Sequence, residues 1–140
     1  LITLGDATVY STYLYVHERI KRLGFETRIV NGIPSFCAAA ARLDMPLVNG
    51  SQKLHILPAS YHIEEALELP GVKVLMKSGR QMPKVKALLK EKGLEARMVE
   101  NCGMEGEKTY QSLEEIPDDA GYFSLLIAES SEEKQGGQRT

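Results

Sequence analysis

The sequence predicts an α/β fold in which strands and helices alternate along the chain. Short apolar runs that end in turn residues alternate with segments whose apolar residues recur every three or four positions. The 140 residues suffice for one ordinary domain, and 43% hydrophobic with 26% charged residues is a globular composition. These observations together favour a sheet that is flanked by helices.

The first thirty residues predict one strand–helix–strand unit. Leu1–Leu4 is an apolar run that leads into Gly5 and Asp6, and Phe25–Val30 is a second predicted strand. Tyr10–Leu23 lies between them, with apolar residues at helical spacing and basic residues near its end. The unit implies parallel strand pairing through a right-handed crossover. Because one such unit leaves a sheet edge uncovered, we expect residues 1–33 to be the remnant of a larger first domain.

A turn-rich break, Asn-Gly-Ile-Pro at residues 31–34, marks the expected boundary between domains. Ser35 is predicted to cap an alanine-rich helix over Phe36–Leu43, which ends before Pro46. The four consecutive alanines, Ala38–Ala41, are good helix formers. They also permit close packing of another element at a domain junction beside a ligand, and both interpretations stay open.

The remainder of the chain repeats the alternation and predicts a second domain over residues 34–129. The predicted elements are strands at Lys53–Ala59, Val72–Lys77, Glu95–Cys102 and Tyr122–Glu129, helices at Ile63–Leu69 and Met82–Lys92, and a loop at Gly103–Tyr110. In the longer helix, Val85, Leu88 and Leu89 share one face and lysines occupy the other. Residues 130–140 contain no core-forming side chains and are predicted to be a disordered tail.

Charge and cysteine content argue against several classes of protein. A net charge of -2 provides no basic surface for nucleic acid or an anionic membrane, and no apolar run is long enough to span a bilayer. Cys37 and Cys102 do not form a disulfide framework, so a cytoplasmic location with reduced thiols is expected. His17, His55 and His62 do not share a metal-ligand spacing, so no metal site is predicted. Neither cysteine has a recognisable base, and no catalytic residue is identified.

Four loop segments lie at the ends of predicted strands or at the starts of helices: Gly5–Asp6, Ile33–Phe36, Leu75–Lys77 and Glu100–Gly103. Any one of them alone is typical of an ordinary turn. If the strands run parallel at these ends, the four segments converge on one cleft, which is the usual geometry for a ligand between two α/β layers. In this cleft, Gly5 would let the backbone approach a ligand closely, and Asp6 would add a carboxylate.

Six segments carry a resemblance that extends over nearly all of Leu1–Glu129. They are LGDATVYST, NGIPSFCAAAARLDMPLV, LHILPA, VLMKSGR, VENCGM and GYFSLLIAE. In this order they resemble the tetrapyrrole methylases of the cobalamin pathway, and in particular those that methylate C20 of precorrin-2 or cobalt-precorrin-2. This chain departs from the family pattern at two prolines. Ala7 stands where the family's Gly-Asp-Pro turn has its proline, and Asn31 stands where the family's Pro-Gly pair has its proline. The family's glycine-rich first segment has no counterpart in this chain.

The resemblance implies two α/β domains with S-adenosyl-L-methionine bound in the groove between them. It implies a C-terminal domain, residues 34–129, with a mixed sheet flanked by helices, preceded by the last βαβ unit of the first domain. The cofactor contacts that it implies are Gly5, Asp6, Val9, Pro34, Ser35, Phe36 and Met76.

The function that the resemblance implies is C20-methylation of precorrin-2 or its cobalt form, both acidic reduced tetrapyrroles, by a homodimeric enzyme. Because this chain would supply only part of the groove, we expect no methyl transfer from it alone. Lys77, Arg80 and Lys84 either meet carboxylates of the substrate or form a solvated face. The alternative is a non-catalytic α/β module for ligand binding or dimerisation.

Overall fold

The computed structural model describes residues 1–59 and 62–131, and within these ranges the chain forms four α-helices and five β-strands. The helices are α1 (Tyr13–Arg22), α2 (Ser35–Arg42), α3 (Glu64–Leu67) and α4 (Met82–Glu91). The strands are β1 (Leu54–Pro58), β2 (Val72–Met76), β3 (Leu94–Glu100), β4 (Lys108–Tyr110) and β5 (Ser124–Ser130).

The strands form one mixed sheet in the order β1-β2-β5-β3-β4. Strands β1 and β2 are parallel, whereas β5 runs antiparallel to both of its neighbours, β2 and β3. At one edge, Met76 of β2 pairs with Leu125 and Glu100 of β3 pairs with Ser124. The carboxyl ends of β1, β2 and β3 therefore lie at the edge where β5 begins. This arrangement confirms the predicted mixed sheet.

Helices cover both faces of the sheet. On one face, α3 and α4 pack against a buried cluster that includes Leu75, Met98 and Leu126. On the other face, α2 packs on strand residues that belong to a second buried cluster. Ala39 and Ala40 are 0% and 4% exposed, so the alanine run does allow α2 to pack closely against the sheet.

The two strands that were predicted in the first thirty residues are absent, which corrects the expectation of a parallel pair. Leu1–Leu4 and Phe25–Val30 are not paired with any strand, and Ile2 and Val30 are 97% and 77% exposed. Helix α1 begins at Tyr13 and contains no buried residue. The physical reason is that two strands and one helix cannot cover each other's apolar faces, so an isolated unit of this size is not stable.

Several other element boundaries also differ from the prediction. Ser35 is the first helical residue of α2 and makes no capping bond, because the extended Pro34 occupies the N-cap position. The predicted loop at Gly103–Tyr110 contains β4, since turn bonds reverse the chain and return it to β3. Ser130 belongs to β5 rather than to the predicted tail, of which residues 132–140 lie outside the described ranges.

Amide hydrogen exchange compares the local stability of the first part of the chain with that of the rest. Helices α1 and α4 are a matched pair for this comparison, because each has ten residues. We expect faster exchange in α1 than in α4, because α4 buries Met82, Val85 and Leu89 whereas α1 buries nothing. Slow exchange is expected in β2 and β5, whose residues are largely buried. Equal and strong protection of α1 and α4 in a monomer would contradict this expectation.

Candidate functional site

A cleft of about 600 Å³ opens at the edge of the sheet where β2 and β3 end and β5 begins. All four of the loop segments identified in the sequence contribute to its walls, together with residues 9–12 and the start of α2. The predicted convergence of these segments is therefore confirmed. It depends on the antiparallel β5, which lies between β2 and β3 and brings their ends together.

Six of the seven residues that the sequence proposed as cofactor contacts line this cleft. They are Gly5, Asp6, Val9, Pro34, Ser35 and Met76. Phe36 lies elsewhere: it is only 8% exposed and belongs to the buried cluster beneath α2. Successive residues of a helix are rotated by about 100°, which explains why Ser35 lines the cleft while the next side chain packs into the core.

The Asp6 carboxylate joins two of the loops that form the cleft. Its Oδ1 accepts hydrogen bonds from the Thr8 hydroxyl and, at 2.8 Å, from the Thr8 N–H. Its Oδ2 accepts the N–H of Gly32 at 2.9 Å. A Cβ atom at Gly32 would lie 2.2 Å from the carbonyl oxygen of Gly5, so only glycine permits this close approach. Asp6 therefore positions the loops through Thr8 and Gly32.

These hydrogen bonds also favour the ionised form of Asp6. The Thr8 hydroxyl, the Thr8 N–H and the Gly32 N–H, in that order, lower the pKa of the Asp6 carboxyl from its ordinary value of 3.8. The side chain therefore stays an acceptor throughout the neutral range. The groups that donate hydrogen bonds to this carboxylate are two main-chain N–H groups and one hydroxyl of the protein itself.

At the end of β3, Glu100 plays a similar part. Its Oε1 accepts the N–H of Gly121 at 2.6 Å, and its Oε2 accepts the Tyr110 hydroxyl at 3.4 Å. The loop held in this way carries Tyr122 and Phe123, whose rings meet edge to face at 5.2 Å and line the cleft. Sequence reasoning missed this contact, because the two partners lie 21 residues apart.

Tyr10 and Lys77 lie close together in one part of the cleft wall. Both have left-handed backbone conformations, with φ of 49° and 60°. The Tyr10 hydroxyl donates to the carbonyl oxygen of Ile56 at 3.2 Å, and the Lys77 Nζ lies 5.9 Å from the centre of the Tyr10 ring. Non-glycine residues with such φ values are uncommon, and strained backbone of this kind concentrates at functional sites.

The thiol of Cys102 also lines the cleft, beside a salt bridge of 2.9 Å between Arg42 and Glu107. Burial, and then the negative charge of Glu107, raise the pKa of the Cys102 thiol above its usual range. A protonated thiol is a poor nucleophile, so these surroundings disfavour the reactive thiolate form of Cys102.

The described ranges contain neither a cluster of metal ligands nor a helix that could span a membrane. No group of three or more histidine, cysteine, aspartate or glutamate side chains there is placed to hold a metal ion. None of the helices in those ranges combines the length and apolar character that crossing a membrane requires.

The fold and the cleft define an α/β unit that presents a ligand-sized site at the carboxyl edge of its sheet. The model of the family Tetrapyrrole (Corrin/Porphyrin) Methylases matches residues 1–117. The chain belongs to this family.

Two relatives match most of the chain. The probable cobalt-precorrin-2 C(20)-methyltransferase of Methanocaldococcus jannaschii is 37% identical over 130 residues, which are 91% of this chain and 56% of the relative. The cobalt-precorrin-2 C(20)-methyltransferase of Salmonella typhimurium is 36% identical over 133 residues, 90% of this chain and 56% of the relative. The chain thus spans about half the length of these relatives.

Solved structures share the fold at low identity. A cobalt precorrin-4 methyltransferase superposes with a TM-score of 0.74 at 18% identity, covering 89% of this chain and 61% of that protein. A uroporphyrin-III C-methyltransferase from Thermus thermophilus, solved with S-adenosylhomocysteine, superposes with a TM-score of 0.68 at 16% identity, covering 89% and 62%.

The hydrogen bonds that Asp6 accepts from Thr8 and Gly32 predict that the stability of the fold depends on pH. Because its folded pKa is lowered, the stabilisation by the carboxylate is full above its ordinary value of 3.8 and is lost as the pH falls through the lower folded value. We expect Asp6→Asn to lower the melting temperature near neutral pH, and we expect the difference from the wild type to narrow below pH 3.8.

The matched control for this prediction is Asp44→Asn. Asp44 is exposed and its left-handed φ of 52° suits asparagine. Thermal unfolding monitored by circular dichroism over a pH series gives the comparison. A difference for Asp6→Asn that does not vary with pH, or that is no larger than for Asp44→Asn, would refute the link.

Proposed function

We propose that this chain is part of an S-adenosylmethionine-dependent methyltransferase that methylates C20 of precorrin-2 or cobalt-precorrin-2 in cobalamin biosynthesis. The observation that carries the proposal is the convergence of Gly5, Asp6, Val9, Pro34, Ser35 and Met76 on one cleft. Family membership and the names of the relatives at 36–37% identity support the reaction and the substrate.

The cleft fits the cofactor in size and in chemistry. A volume of about 600 Å³ lies within the range of small-molecule sites, which bury most of their ligand among apolar side chains and a few polar groups. Val9, Met76 and Leu125 supply an apolar wall, and Ser35 adds a hydroxyl at the start of α2. A fold neighbour that was solved with S-adenosylhomocysteine supports the same class of cofactor.

The residues of this chain act in the reaction by binding, by orientation and by exclusion of water. When bound, the cofactor supplies a methyl group that its sulfonium already activates. The cleft walls hold the reactants at a fixed distance and angle, which is the main contribution that a displacement of this kind needs. Apolar side chains around Met76 also favour the loss of positive charge on transfer, because they solvate a cation poorly. Asp6 and Glu100 keep two parts of the wall in place.

We propose further that residues 1–33 belong to a first domain and residues 34–129 to a second. Among residues 1–33 only Asp6 and Ala7 are buried, whereas the sheet and both buried clusters lie largely in the later range. The exposed apolar side chains of the first range, such as Ile2 and Phe25, favour cover by further polypeptide or by a second copy in a homodimer. The proposed location is the cytoplasm.

Two substitutions on α2 test the cleft as the cofactor site. Ala38 lines the cleft, whereas Ala41 on the same helix is exposed and does not line it. We expect calorimetry to detect binding of S-adenosylhomocysteine by the wild-type chain. Ala38→Leu should weaken that binding by roughly tenfold or more, because the added side chain occupies the ligand's space. Ala41→Leu should leave it unchanged.

Both variants replace alanine by leucine in a helix, so their effects on helix propensity are the same and small. Thermal unfolding confirms that each variant is folded. Absence of binding by the wild-type chain, or equal binding by the two variants, would count against the proposal and favour a module with another ligand.

A further inference from the structure

We propose that Lys77 binds a carboxylate of the ligand in the cleft. This inference rests on the proposed function, since it concerns the ligand of the same site. It singles out one of the three basic residues, Lys77, Arg80 and Lys84, that the sequence leaves open as substrate contacts.

Lys77 is the cation that an anionic group entering the cleft would meet. The described lining of the cleft contains two charged residues, Asp6 and Lys77. The carboxylate of Asp6 already accepts hydrogen bonds from Thr8 and Gly32. Within residues 1–59 and 62–131, no carboxylate forms a salt bridge with the ammonium of Lys77. The positive charge is therefore available to a ligand.

The other two basic residues are placed differently. Neither Arg80 nor Lys84 lines the cleft. Lys84 forms a salt bridge of 3.1 Å with Glu64. Arg80 lies in a short 3₁₀ turn and is exposed. Of these three basic residues, Lys77 is therefore the one that lines the cleft.

The ammonium of Lys77 lies over the ring of Tyr10 at the wall of the cleft. The hydroxyl of Tyr10 is bonded to Ile56, and the Nζ of Lys77 lies 5.9 Å from the ring centre. An exposed cation–π contact of this length is weak, whereas a hydrogen bond between an ammonium and a carboxylate is strong. Lys77 can therefore exchange the aromatic ring for a carboxylate when a ligand enters.

Two ligands of the proposed reaction carry this chemical group. One is the amino-acid end of S-adenosylmethionine, and the other is the acidic side chains of the tetrapyrrole. A titration that follows the backbone amides of the chain by NMR distinguishes the two sources. S-Adenosylhomocysteine carries the amino-acid carboxylate, methylthioadenosine lacks it, and uroporphyrin is a tetrapyrrole rich in carboxylates.

The variants are Lys77→Gln, which removes the charge, and Lys77→Arg, which keeps it. We expect Lys77→Gln to weaken the binding of one carboxylate ligand by about two- to fivefold, the size expected for an exposed ion pair. Lys77→Arg should restore most of the affinity, and Arg80→Gln is the control with the same loss of charge outside the cleft. Methylthioadenosine should bind equally to all variants.

Each outcome decides between the proposals. Weaker binding of S-adenosylhomocysteine alone assigns Lys77 to the cofactor, and weaker binding of uroporphyrin alone assigns it to the tetrapyrrole. Equal affinity of wild type and Lys77→Gln for both ligands overturns the role of Lys77 and leaves the proposed function intact. Failure of the wild-type chain to bind either ligand contradicts both proposals. Lys77→Asn, which tolerates the left-handed backbone, replaces Lys77→Gln if that variant does not fold.

Discussion

The hydrogen bond from the Gly32 N–H to the Asp6 carboxylate holds one wall of the cleft in place. The segment that contains this wall has little other support, since Asp6 and Ala7 are the buried residues among the first 33. The bond works only because residue 32 is glycine, which lets its backbone meet the carbonyl oxygen of Gly5. The carboxylate to which the family resemblance assigns a cofactor contact thus also holds the loops of this wall together.

A second part of the wall, which contains Tyr122 and Phe123, repeats this arrangement. Glu100 accepts the N–H of Gly121, and a Cβ atom at that glycine would lie 2.8 Å from the same carboxylate oxygen. Both parts of the wall are therefore held by an acidic side chain that captures the main-chain N–H of a distant glycine. Between them, the antiparallel β5 brings the ends of β2 and β3 to one edge, so that apolar residues such as Met76 and Leu125 meet.

The sequence predicted best those elements whose burial is evident from their own residues. Strands β2 and β5 are nearly continuous apolar runs, and their predicted bounds differ from the observed ones by at most two residues. Leu1–Leu4 is equally apolar but forms no strand, because an apolar run does not reveal whether a partner exists. The short and exposed β4 lacks any such signal. The orientation of Phe36 could not be predicted, because it depends on the residue at which α2 begins. The contact between Glu100 and Gly121 could not be predicted either, because it depends on the whole fold, which local sequence patterns do not specify.

A crystal structure of this chain with S-adenosylhomocysteine tests the central claim most directly. We expect electron density for the ligand in the cleft between the loop at Pro34 and Ser35 and the end of β2 at Met76. Density at another surface of the sheet, or a cleft that stays free of ligand when solution binding is saturated, would contradict the account.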